Sequence, residues 1–175
     1  VKIKIKINNI PSRYKGDIRY TSHVQTYGWQ GDVNNPNTWK KEGEMAGTSG
    51  ESKRLEAIKI KLTGDLEKHY DIYYRVHSQN VGWLGWAKNG ETAGTSGYSY
   101  RMEAVQIVLV KKGSSAPAAN YGESLRQEVF PPRYRIRFVI QVSHASSPIP
   151  HSVEHHDLQA LIVELSSINS LDDNC

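Results

Sequence analysis

The sequence predicts an all-β fold built from tandem repeats, and three observations carry that expectation: a recurring segment, apolar residues alternating with polar ones, and glycines punctuating the stretches between. Residues from Asp17 to Leu62 recur from Asp71 to Leu109. A period of roughly 45 residues marks a supersecondary unit that buries its apolar face only by stacking against a neighbour. Val1, Ile3, Ile5 and Ile7 alternate with Lys2, Lys4 and Lys6, as Ile58, Ile60 and Leu62 do with Lys59 and Lys61. Alternation of this kind puts the two sets on opposite faces of a strand.

Taken in order, Val1 to Ile7 has the pattern of the closing strands Ile58 to Leu62 and Val105 to Leu109, and reads as the end of a preceding repeat. Each repeat then opens with a strand, Ile18 to Gln25 or Ile72 to Gln79, whose Ile and Tyr point inward while His23 and Gln25, or His77 and Gln79, occupy the other face. A glycine-rich middle follows, and short strands with such punctuation fit an all-β domain. Landmarks up to the first Trp (Trp29, Trp83) are offset by 54 positions and those from the second (Trp39, Trp86) by 47. The excess falls in the first copy, between Asp32 and Thr38.

After Gly113 the texture changes. Residues 114–132 form a small-residue and proline linker. Within 133–175, Tyr134 to Val142 alternates as a strand, whereas Leu158, Leu161, Ile162, Leu165, Ile168 and Leu171 fall at the spacing of an amphipathic helix. The helix is preferred there over a strand like Leu55 to Leu62. The segment reads either as a degenerate third repeat or as an unrelated, irregular or partly helical tail.

The repeated residues are Gly28-Trp29, Trp39, Gly43-Glu44, Ala46-Gly47-Thr48, Gly50 and Arg54-Leu55-Glu56-Ala57-Ile58, matched by Gly82-Trp83, Trp86, Gly90-Glu91, Ala93-Gly94-Thr95, Gly97 and Arg101-Met102-Glu103-Ala104-Val105. This ordered set, present twice within residues 1–113, resembles the clostridial hydrophobic repeat with a shared tryptophan, ChW. The resemblance implies a module of secreted or surface proteins of Gram-positive bacteria, found beside wall-active or polymer-degrading domains and associated with adhesion or recognition. It implies no particular ligand.

Charge divides the chain. Through Gly113 there are 18 Lys and Arg against 11 Asp and Glu, and from Ser114 onward 4 against 7. The positive excess therefore belongs to the repeats, where lysines on a solvated strand face discourage edge-to-edge association or attract anionic wall polymers. Basic residues are not interleaved with a stacking platform, so nucleic acid is not expected as a partner. No apolar run is long enough to span a bilayer as a helix. The only cysteine, Cys175, excludes an internal disulfide and a CxxC metal site. The sequence begins without Met and in mid-strand, and is expected to be a piece of a longer protein.

Candidate chemistry lies first at the tryptophans. Trp29, Trp39, Trp83 and Trp86 either hold sugar rings on exposed faces or act as core wedges between strands, and Gln25, Gln79, His23 and His77 either bond sugar hydroxyls or form a solvated strand face. Glu56 and Glu103 share a strand face with apolar residues, so each carboxylate must be paired. Arg54 and Arg101 and the backbone of the glycine-threonine loops are the expected partners in a structural clamp. A glycosidase needs two carboxyl groups at a set separation, and no second acid is as well placed, since Glu44 and Glu91 sit in turns. GxSxG, GxxxxGK[ST] and HExxH are absent. The cluster His151, His155, His156 and Asp157 is expected to be polar surface rather than a metal site.

These observations add up to a pseudo-threefold assembly, such as a β-prism or β-trefoil, that binds rather than catalyses and needs no cofactor. The expected partner is a cell-wall or extracellular glycan. The alternatives are a protein-binding adhesion scaffold with structural tryptophans and an accessory piece of a wall-active hydrolase.

Overall fold

The computed structural model describes residues 2–7, 14–117, 137–140 and 161–166. Repeat one comprises β2 (Ile18–Val24), β3 (Gly28–Trp29), β4 (Ala46–Gly47) and β5 (Leu55–Leu62), and follows β1 (Lys2–Ile7). A short helix α1 (Gly64–His69) leads into repeat two, which comprises β6 (Tyr70–Ser78), β7 (Gly82–Trp83), β8 (Ala87–Lys88), β9 (Ala93–Gly94) and β10 (Met102–Lys111). Two further strands are β11 (Arg137–Ile140) and β12 (Leu161–Ser166).

Among the described residues three sheets result, ordered β12-β1-β4, β3-β2-β5-β9 and β7-β6-β10-β11, with β8 also on β6. The pairs β2/β5 and β6/β10 are the same antiparallel hairpin twice, with Ile18 opposite Leu62 and Ile72 opposite Leu109. All length excess in repeat one lies outside the strands: Asn35 caps a 3-10 turn at Pro36–Thr38, and an isolated bridge from Lys40 to Tyr20 then takes the place of β8. The insertion is thus confined to Asp32–Thr38, as the offsets predict.

The short Ala-Gly strand of each repeat pairs with the closing strand of the unit before it rather than with its own. β4 joins β1 through Ala46 opposite Ile3, and β9 joins β5 through Ala93 opposite Ile58. Gly94, at φ +124°, lies flat on Ala57; a side chain would run into Ala57 and the Glu56 carbonyl. The recurring Ala-Gly and Glu-Ala pairs are therefore two sides of one inter-unit contact. Tyrosines reinforce it. The Ile5 N–H donates to the Tyr20 hydroxyl at 3.2 Å, and that hydroxyl donates to the Glu44 carbonyl. The Tyr74 hydroxyl likewise donates to the Glu91 carbonyl and is bonded by the Ile60 backbone.

Both tyrosines are wholly buried in one core with Ile3, Ile5, Ile18, Ile58, Ile60, Ile72, Val76 and Ile107. Burial pushes the Tyr20 hydroxyl up to about 12, and that of Tyr74 beyond the usual tyrosine range.

One expectation for the tail is corrected. Residues 161–166 form a strand, not a helix: β12 pairs antiparallel along the whole of β1, with Ile5 opposite Val163. An available edge of backbone donors and acceptors decides between two patterns that the same apolar residues satisfy. β11 is a strand as expected from 134–142, but it pairs parallel with β10, Val105 opposite Phe138. The two tail strands thus lie in different sheets and do not form a hairpin like those of the repeats.

Candidate functional site

In each repeat the opening and closing strands share one irregularity. Pairing slips between His23 and Val24 opposite Leu55 and Ala57, leaving Glu56 as an extra residue, and Glu103 is the extra residue between Met102 and Ala104. A β-bulge re-aims the side chain at the irregularity. Here it turns a carboxylate toward the histidine across the ladder, with Glu56 3.2 Å from His23 Nδ1 and Glu103 3.3 Å from His77 Nδ1.

Arg54 donates to Glu56 at 3.1 Å, and Arg101 reaches Glu103 at 2.9 Å. The histidines in turn sit opposite Trp29 and Trp83 in the ladder and meet those indoles edge-on, with ring centroids 5.5 and 5.4 Å apart. Gln25 anchors the arginine by accepting from the Arg54 N–H at 3.3 Å, and the Gln79 N–H bonds the Arg101 carbonyl. Sequence reasoning divided these residues into sugar-binding histidines and glutamines and a separate Glu-Arg clamp. Folding brings all of them into one Trp-His-Glu-Arg cluster per repeat.

The two clusters differ in closure. The Gly97 N–H, in the loop of repeat two, donates to the Glu56 carboxylate at 3.2 Å, and the Thr95 N–H donates to the Glu56 carbonyl at 2.9 Å. Glu56 is 4% exposed. Glu103 is 33% exposed, beside His77 at 36% and Arg101 at 46%, so sharing a strand face with apolar residues does not bury the second acid. The physical reason is that Glu56 is roofed by the loop of the following repeat, whereas no such loop bond to Glu103 is present among the described residues.

The tryptophans separate into different roles. Trp39 is 4% exposed and its indole N–H donates to the Asp32 carbonyl at 2.7 Å, which makes it the core of the inserted loop rather than a ligand platform. Trp86 packs on a second small core of Tyr73, Val108 and Val110. Between Trp86 and Trp83 lies the Arg75 guanidinium, 4.7 and 5.0 Å from their rings, with its Nε donating to Gln106 at 2.5 Å. Arg75 was not among the predicted residues, although it stands at the period-two position between Tyr73 and His77. Trp29 is half-buried, with Lys59 over its ring at 5.7 Å and the exposed Tyr27 on the adjoining turn.

Glu44 and Glu91 accept from the Lys41 and Lys88 N–H groups, which accounts for their recurrence as turn residues. Among the described residues no group of three or more His, Cys, Asp or Glu is placed to hold a metal; His151, His155, His156 and Asp157 lie outside them. No helix among the described residues is long and apolar enough to cross a membrane.

Fold and cluster together define an all-β tandem-repeat protein whose units are joined by a motif loop seated on the preceding closing strand. The model of the family described as Clostridial hydrophobic W matches residues 23–64 and 77–111, and the chain carries two ChW repeats. No curated protein and no solved structure matches the chain.

Proposed function

We propose that the repeats form a non-catalytic recognition module of a secreted or cell-surface bacterial protein, binding cell-wall or extracellular carbohydrate at the Trp29 corner. The observation that carries this reading is a half-buried indole set edge-on against His23, whose Glu56 neighbour also holds an Arg54 side chain still 30% exposed. An aromatic face with directional polar groups suits a ring of C–H bonds and hydroxyls. Rigid support favours binding, because little order has to be gained on contact. Glu56 and Gly97 supply it by tying Arg54 to the next repeat, with His23 Nδ1 lying 3.2 Å from the same carboxylate. Trp83 is the weaker counterpart, since the Arg75 guanidinium sits closer over its ring, at 5.0 Å, than Lys59 Nζ does over Trp29, at 5.7 Å.

We further propose that the three sheets stand around a pseudo-threefold axis as a β-prism. In each, a closing strand lies between an antiparallel opening partner and a short outer strand: β2-β5-β9, β12-β1-β4 and β6-β10-β11. On this reading the third unit is assembled from the two ends of the described chain.

A wall-polysaccharide binding assay on the intact chain tests the functional reading, with Trp29→Ala expected to lose binding and Trp39→Phe to keep it. Binding unaffected by Trp29→Ala refutes this site. The second reading, a protein-binding scaffold with structural tryptophans, is favoured by the intramolecular contact that each indole makes. It predicts no binding to any wall glycan.

A further inference from the structure

At the end of β6 opposite the Trp83 corner, Tyr70 pairs with Lys111, and the Lys112 N–H donates to the His69 carbonyl at 2.8 Å. An open cleft of about 250 Å³ lies there, lined by Tyr14, Lys68, His69, Tyr70, Lys111 and Lys112. Tyr14 holds its ring 4.6 Å from that of His69 and meets Tyr70 edge-on at 6.0 Å. Asp71 fixes Lys112 at 2.8 Å and Asp65 fixes Lys68 at 3.0 Å, while Lys111 is exposed. The cleft thus combines a wall of aromatic rings with the exposed Lys111 ammonium group, while the charges of Lys68 and Lys112 are already paired by Asp65 and Asp71.

The repeat fold does not require these residues. The same corner recurs in repeat one, where the Asp65 N–H donates to the Lys15 carbonyl as that of Lys112 does to His69. There, by the repeat offsets, Gly16 and Gly64 take the places of Tyr70 and Lys111. A side chain at Gly16 would collide with the Thr63 carbonyl and come within 3.0 Å of Leu66 Cγ. One corner is closed by glycine; the other is open and lined with rings and lysines.

We propose that this second corner binds an acidic sugar, a pyranose bearing a carboxylate or a phosphate. Ring faces and edges suit the sugar's C–H surface, and the Lys111 ammonium group meets an anion as a point charge. The volume lies just below the roughly 300 Å³ at which pockets for larger ligands begin, which suits a single sugar unit. The site is separate from the Trp29 corner and does not rest on it.

The test titrates the intact chain at low salt with glucuronate, glucose 6-phosphate, glucose and inorganic phosphate, reading amide chemical shifts. Both acidic sugars are expected to bind, glucose not, and the tighter of the two identifies the preferred anion. Lys111→Ser, an exposed position, should weaken them by up to about fivefold, the scale of an exposed ion pair. Tyr14→Phe should leave the affinities unchanged and Tyr14→Ala lower them, while Trp29→Ala alters none. Failure of both acidic sugars to bind, equal binding of glucose, or inorganic phosphate binding as tightly as glucose 6-phosphate would overturn the proposal. So would acidic-sugar binding untouched by both Lys111→Ser and Tyr14→Ala.

Discussion

Replacing Glu56 by Ala removes the acceptor shared by a donor from each of two repeats. The carboxylate is 4% exposed, accepts from Arg54 at 3.1 Å and from the Gly97 N–H at 3.2 Å, and lies 3.2 Å from His23 Nδ1. Alanine removes the partner of the Gly97 N–H and of Arg54, and because Gly97 lies at an exposed loop position and Arg54 is 30% exposed, water recovers part of both bonds, for a loss of about 1–2 kcal/mol. Glu103→Ala is the internal control. Its carboxylate is 33% exposed and is bonded by no loop N–H among the described residues, so its pairing with Arg101 is screened and worth less than about 1 kcal/mol. Urea unfolding of the two variants beside the wild type should therefore give a clearly lower midpoint for Glu56→Ala alone. Equal midpoints for both variants, or an unchanged midpoint for Glu56→Ala, would refute the role given to the loop.

Two pH dependences and two packing effects follow. Because the folded Tyr20 hydroxyl titrates at about 12 against an ordinary 10.0, its contribution is complete below pH 10 and is lost as pH rises toward 12. Tyr20→Phe should be less stable at neutral pH and should flatten that alkaline limb in pH-dependent thermal melts. At Asp71, burial opposes ionisation, but hydrogen bonds from Lys112, Asn89 and Lys88 outweigh it and hold the carboxyl well below 3.8. Its contribution is present above pH 3.8 and lost as pH falls further, so Asp71→Asn should reduce the acid sensitivity of the melting temperature. Trp39→Ala should cost about 3 kcal/mol, as for other large-to-small changes at buried aromatics, while leaving glycan binding intact. Removing residues 141–175 deletes the full-length partner of β1 and should lower stability and promote association through the uncovered edge, readable by light scattering.

The repeats were legible because every landmark occurs twice in order; one length change between matched blocks located the insertion. Ile18, Tyr20, Ile72 and Tyr74 were assigned to the core because period-two alternation is a local property. Less accessible was the bulge at Glu56 and Glu103. Two-residue spacing places these acids on the apolar face, whereas the extra residue turns them toward His23 and His77. Nor could spacing reveal that Ala93-Gly94 sits on β5 of the other repeat, which depends on how units stack. Trp39 and Trp86 occupy the same motif position but end differently, because the insertion wraps Trp39 whereas Trp86 lies on valines at 108 and 110. In the tail, Leu161 to Leu165 satisfied helical and strand patterns alike, and only pairing with β1 separates them.

Carbohydrate recognition at the Trp29 corner is tested most directly by binding of the intact chain and its Trp29→Ala variant to purified neutral wall polysaccharide at 0.1 M and 1 M salt. Screening shortens from about 10 Å to about 3 Å between those conditions, which separates aromatic contacts from lysine attraction. The wild type should bind at both ionic strengths and Trp29→Ala at neither. Binding that survives Trp29→Ala, or that vanishes at 1 M salt in the wild type, would contradict the account.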